Sequence, residues 1–173
     1  KTGFDGFAID ISNRKTDAAS LVETGKKENM IIQSLHAPFN KSDDMWSDDE
    51  IGSIALKELI DYAEICAKHE IPAMIVHTFI GFDEPYIPTA CGIERYGELA
   101  KRAGEVGIKL ALENTEGFEY LDALMNALKG EKSVGFCWDS GHEMCYNHSQ
   151  DLLSKYGDRL IMTHINDNLG ISR

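Results

Sequence analysis

Gly107-Ile108-Lys109-Leu110-Ala111-Leu112-Glu113 reads as the end of a helix, one buried strand, and a carboxylate delivered at that strand's C-terminal end. The same unit recurs in both directions along the chain. Toward the N-terminus, Ile31-Ile32-Gln33-Ser34-Leu35 precedes His36, and Ala73-Met74-Ile75-Val76 precedes His77. Toward the C-terminus, Val134-Gly135-Phe136-Cys137-Trp138 precedes Asp139, and Leu160-Ile161-Met162-Thr163 precedes His164. A sixth run, Gly3 to Asp10, opens the chain. Apolar stretches this short and rich in Ile, Val, Leu and Phe suit parallel strands covered on both faces. Solvated side chains scattered at random would not fall so regularly at strand ends. His36, His77, Glu113, Asp139 with His142, and His164 are therefore the candidates for metal or acid/base chemistry.

The segments between the runs have helical spacing. After Trp46, Ser47 and Glu50 form a capping-box pattern, and Ile51, Ala55, Leu59, Ala63 and Cys66 then recur on one face until Pro72 separates helix from strand. From Ile93 the apolar positions Tyr96, Ala100 and Ala103 repeat, and Gly107 stands where a left-handed C-terminal cap is expected. Leu121, Leu124, Met125 and Leu128 make a third face, stopped by Gly130. These positions are assigned to the core.

Strands alternating with helices of this length imply crossover connections and a parallel α/β sheet. An open doubly wound sheet concentrates its site at one switch point, whereas here nearly every strand ends in a polar residue, which favours a TIM-type (β/α)8 barrel. No Gly-rich phosphate-binding turn follows a strand: Gly104 and Gly107 fall in or just after a helix. The 173 residues hold about six strand-helix units, while a closed barrel takes about 250 residues. The expectation is one barrel domain over residues 1–173, incomplete, with one unit before residue 1 and at least one after residue 173 in the native protein.

With 43% hydrophobic and 27% charged residues, the chain has the composition of an ordinary globular domain, and no apolar run is long enough to cross a bilayer. The net charge of −12, without a Lys/Arg cluster, disfavours a nucleic-acid partner. Asp43-Asp44 and Asp48-Asp49-Glu50 are read as solvated loop and helix-start charges. Cys66, Cys91, Cys137 and Cys145 show no close zinc-type pairing, and buried reduced thiols at Cys66 and Cys137 suit a cytoplasmic setting. His69 and His148 are assigned to solvent.

Four segments, Ser34-Leu35-His36-Ala37-Pro38-Phe39, Leu112-Glu113-Asn114-Thr115, Asp139-Ser140-Gly141-His142 and His164-Ile165-Asn166-Asp167-Asn168, resemble the motifs of the xylose isomerase-like barrel superfamily. That group unites sugar isomerases and epimerases with type-IV apurinic endonucleases, and the resemblance spans the chain from Gly3 to Asn168. In the epimerase branch a divalent metal is held by Glu, Asp, His and a second Glu. The resemblance implies that Glu113, Asp139 and His164 are the first three ligands and that the fourth lies beyond Arg173. Manganese, zinc, cobalt and magnesium all suit such ligands.

The resemblance implies a metal-dependent isomerase or epimerase of a sugar or sugar phosphate. A polarised ketose carbonyl acidifies the neighbouring C–H, Glu113 takes the proton, and His142 bonds a substrate oxygen and stabilises the enediolate. His36, His77 and Trp138 are expected to line the substrate pocket with His142, and Phe39 and Phe79 are further candidates for its wall. Lys41 and Arg173 follow strand ends, where they can meet an anionic group. Barrels of this family often pair, which leaves room for a homo-oligomer. The same residues, with His36, His77 and His142 as ligands, also match the trinuclear zinc site of the endonuclease branch. An inosose dehydratase-like lyase, and a barrel that has lost catalysis and acts as a binding subunit, are the remaining readings.

Overall fold

Side chains alternate across a strand, so each strand of a covered parallel sheet supplies one row to each of two layers. In this protein the two rows are unequal in size. The structure, a computed structural model, describes residues 3–12 and 17–171. Its six strands are β1 (Gly6–Asp10), β2 (Ile31–His36), β3 (Ala73–His77), β4 (Lys109–Glu113), β5 (Val134–Asp139) and β6 (Leu160–His164). They form one sheet in sequence order, each strand parallel to the next, curled into an incomplete TIM barrel. The helices are α1 (Ala18–Lys27), α2 (Glu50–Lys68), α3 (Ala90–Val106), α4 (Phe118–Ala127), α5 (Ser140–Tyr146) and α6 (Leu152–Tyr156). No helix among the described residues is long and apolar enough to cross a membrane.

The inner row is small: Ala73, Ile75, Ala111, Cys137 and Met162 form a cluster of their own. The outer row carries the bulk, with Met74, Val76, Leu110, Leu112, Val134 and Phe136 packed beneath the helices. Cys66 and Cys137 are buried free thiols, and burial pushes the Cys66 thiol up to about 12. Pairing register then sets the level of the strand ends. Asp10 lies beside His36, His77 beside Glu113, and Asp139 beside His164. A register shift between Phe136 and Cys137 is what aligns Cys137 with Met162 and Asp139 with His164.

Helix ends follow local chemistry. Gly107 closes α3 in the left-handed region, φ 80°, as its position after the apolar repeat predicts. The start of α2 differs from the expected capping box. Asp49, not Ser47, is the N-cap: its Oδ1 accepts from the Ile51 amide at 2.9 Å, and the Ser47 hydroxyl donates to the same oxygen. A carboxylate closer to the helix takes the amide, and the serine is left to buttress it. The buried face of α2 is correspondingly Gly52, Leu56, Leu59, Ala63 and Cys66, while Ile51 is 49% exposed.

One aromatic side chain ties the upper layer together. Trp46, in a 3-10 turn over Ser42–Trp46, donates its indole N–H to the Thr78 carbonyl at 2.8 Å. Its own carbonyl accepts from the Thr89 hydroxyl at 2.8 Å, and its ring packs on Tyr96 and Tyr120. Tyr96 donates to the His77 and Thr78 carbonyls, so the end of β3 is held from two sides. The Trp46 ring lies flat against Gly92: a Cβ there would sit 2.2 Å from Cε3. We expect Gly92→Ala to lower unfolding free energy by about 1–3 kcal/mol, read by chemical denaturation, through overpacking of this contact; an unchanged midpoint would show that the indole moves away freely.

Candidate active site

Glu113 ends β4 on the inner row and is 1% exposed. A buried carboxylate needs partners, and this one has four imidazoles. Oε2 lies 3.1 Å from His36 Nε2 and 3.5 Å from His77 Nε2. Oε1 lies 3.0 Å from His164 Nδ1 and 3.3 Å from His142 Nδ1. Each oxygen therefore faces one pair of histidines. Asp139 joins from β5, with Oδ2 at 3.7 Å from His164 Nδ1 and 4.0 Å from His142 Nδ1. Its other oxygen, Oδ1, accepts from the His142 amide at 2.7 Å and caps α5.

The ring orientations are set by backbone carbonyls. A carbonyl only accepts, so the Nδ1 of His36, 2.8 Å from the Ala37 oxygen, carries a proton and turns Nε2 toward Glu113. His142 Nδ1 donates likewise to the Asn114 oxygen at 3.0 Å. Phe39 stacks on the His77 ring with centroids 4.5 Å apart and meets His36 edge-on. It walls this side of the cluster.

Proton affinity separates His77 from His36 and His142. Burial acts to lower His36 and His142, but the Glu113 carboxylate beside them outweighs it and both are raised. His77 is buried further and its attraction to Glu113 does not compensate, so it is lowered to about 3 and stays neutral. Burial would push the Glu113 carboxyl up; hydrogen bonds from His142, His164 and His36 reverse that and hold it well below the ordinary carboxylate range.

This donor set fits a divalent cation. Every ion pair of Glu113 and Asp139 among the described residues is to a histidine, with no Lys or Arg to supply fixed charge. His77 Nδ1 is buried without a hydrogen-bond partner among the described residues. Three overlapping groups have ligand atoms within 4.8 Å of one another: His36-His77-Glu113, Glu113-Cys137-His164 and Glu113-Asp139-His142. Imidazole and carboxylate together suit first-row divalent metals.

Residues 1–172 match the model of the xylose isomerase-like TIM barrel. The chain belongs to that family. Among solved structures, D-psicose 3-epimerase from Clostridium cellulolyticum H10, crystallised with D-tagatose, has a TM-score of 0.75 at 17% identity, covering 95% of this chain and 64% of that one. A D-tagatose 3-epimerase-like protein has a TM-score of 0.73 at 21% identity, covering 98% and 70%. A Thermus thermophilus protein soaked with ZnCl2 has a TM-score of 0.72 at 21% identity, covering 95% and 69%. By sequence, the uncharacterized protein y4fM of Sinorhizobium fredii is 38% identical over 72 residues, 38% of this chain but only 23% of that protein.

The strand ends thus bring together His36, His77, Glu113, Asp139, His142 and His164 on one rim of the barrel. Trp138 does not join them. It belongs to the outer row of β5, packs against the main core and donates its indole N–H to Glu143, so the expected role as a sugar-pocket wall does not carry over. Phe79 also faces the core, stacked on Tyr120 at 4.2 Å. Lys41 is exposed at the start of the 3-10 turn, and Arg173 lies outside the described residues.

Asn114 is the residue whose role sequence reasoning missed. Its side chain brackets Asp139, donating to the carbonyl at 3.0 Å and accepting from the amide at 2.8 Å, and its carbonyl holds His142. Asn147 completes the bracket by donating to the Thr115 carbonyl at 3.2 Å. The available signal was an amide residue directly after a strand-end carboxylate. Removing Asn114 leaves the buried Asp139 peptide unpaired, so Asn114→Ala is expected to cost about 1–3 kcal/mol in a denaturation experiment. An unaffected midpoint would mean that the bracket is dispensable for folding.

Proposed function

We propose that this protein is a divalent-cation-dependent sugar isomerase or epimerase that works by proton transfer at a carbon beside a carbonyl. The observation that carries the reading is the buried, ionised Glu113 among four histidines at the C-terminal rim of a xylose isomerase-like barrel. Sugar epimerases among the structural neighbours support the substrate class. Glu113, Asp139 and His164 would hold the metal, which when bound polarises a ketose carbonyl and acidifies the adjacent C–H.

The chain's own groups supply the rest. Glu113, fixed from both sides, accepts the proton at a carboxylate oxygen. His142, raised in proton affinity and held through Nδ1 by Asn114, donates to a substrate oxygen on which negative charge develops. A cavity of about 580 Å3 opens beside it, lined in part by Tyr146, Asn166, Asp167 and Asn168, whose polar atoms suit sugar hydroxyls. His36 and His77 face the other carboxylate oxygen of Glu113, with Phe39 packed on their rings.

One observation favours a second reading. His36 and His77 both face Oε2 of Glu113, while His142 and His164 face Oε1, so Glu113 has the geometry to bridge two cations. That would fit a zinc phosphodiesterase of the apurinic endonuclease type; the net charge of −12 weighs against a polyanionic substrate.

Elemental analysis of the protein at its natural length, purified without chelator, is expected to give about one divalent metal per chain. Two or three zincs would replace this reading with the phosphodiesterase one. With a ketose that turns over, Glu113→Gln should abolish exchange of substrate C–H for solvent deuterium while leaving the circular dichroism spectrum intact. Exchange at the wild-type rate would remove Glu113 from the acid/base role.

A further inference from the structure

The inner row of β5 places a sulfur directly under the rim. Cys137 is fully buried, pairs in register with Glu113 across β4 and β5, and sits one inner-row step below Asp139. Its Sγ lies within 4.8 Å of ligand atoms on both Glu113 and His164. It has no disulfide, and its thiol makes no hydrogen bond among the described residues. Glu113 is its direct partner on β4, so no other residue of the sheet intervenes between sulfur and carboxylate, while Met162 flanks it on β6.

We propose that Cys137 is a thiolate ligand of the cation held by Glu113 and His164, and that it biases the site toward a thiophilic divalent metal, zinc or cobalt, over magnesium or manganese. The proposal rests on the metal-binding reading above. Metal–sulfur, metal–nitrogen and metal–oxygen bonds of about 2.3, 2.1 and 2.1 Å would place donors about 3.5 Å apart around a tetrahedral ion, and the three ligand atoms already lie within 4.8 Å of one another. As the sulfur–metal bond forms, the S–H proton leaves to solvent. Soft sulfur has little to gain from magnesium and much from zinc or cobalt. A cysteine serving only as a small apolar filler of the barrel interior would do none of this.

The natural-length protein is stripped with chelator, reloaded with Co2+ and read by absorption. The expected result is cobalt bound, with a sulfur-to-cobalt charge-transfer band in the near ultraviolet. The band should be lost in Cys137→Ser and kept in Cys66→Ala, Cys91→Ser and Cys145→Ser. Zinc affinity of Cys137→Ser should fall by at least about tenfold, with magnesium affinity unchanged. Cobalt bound without the band, or with a band that survives Cys137→Ser, overturns the thiolate and leaves the metal site standing. Failure of the wild type to bind cobalt at all overturns both. If Cys137→Ser does not fold, the combined Cys66, Cys91 and Cys145 variant decides: a retained band supports Cys137, and its absence with cobalt bound refutes it.

Discussion

A single carboxylate buried at the end of β4 is the constraint around which the rim is arranged. Ionised Glu113 taken out of water is costly unless its neighbours compensate, and among the described residues no lysine or arginine pairs with it. Imidazoles do it instead, from four strands or strand-end turns. Three of them are themselves anchored: His36 by Ala37, His142 by Asn114, His77 by the ring of Phe39 and by Tyr96 on its carbonyl. The outcome is a cluster whose charge can change through protonation or a bound cation.

Much of this was legible in the sequence because the relevant signals are local and periodic. Short apolar runs gave the strands, and a polar residue at the end of each gave the rim; parallel pairing in register brings those ends to one level. Gly107 announced its left-handed cap, and Tyr96, Ala100 and Ala103 their buried face. Cys66 and Cys137 are buried, as their positions on a helix face and within a strand suggested.

What was not legible depends on phase and on partners distant in sequence. Trp138 adjoins Asp139 yet points the opposite way, because neighbours on a strand never share a face. The start of α2 was misread by two residues: a serine three positions before a glutamate satisfies the capping-box rule, but Asp49 stands nearer the free amides. Asn114 gained its role only once β5 was beside β4, and no spacing rule connects residues 114 and 139.

Asp139 divides its two oxygens between two tasks. Oδ1 starts α5 by holding the His142 amide, and Oδ2 faces the histidines. The direction of α5, and with it the placement of His142, is therefore mechanically linked to the rim through one side chain. Anything that draws Oδ2 inward pulls on the first turn of α5, so occupancy of the rim and the stance of His142 form a lever with its fulcrum at the Asp139 carboxyl carbon.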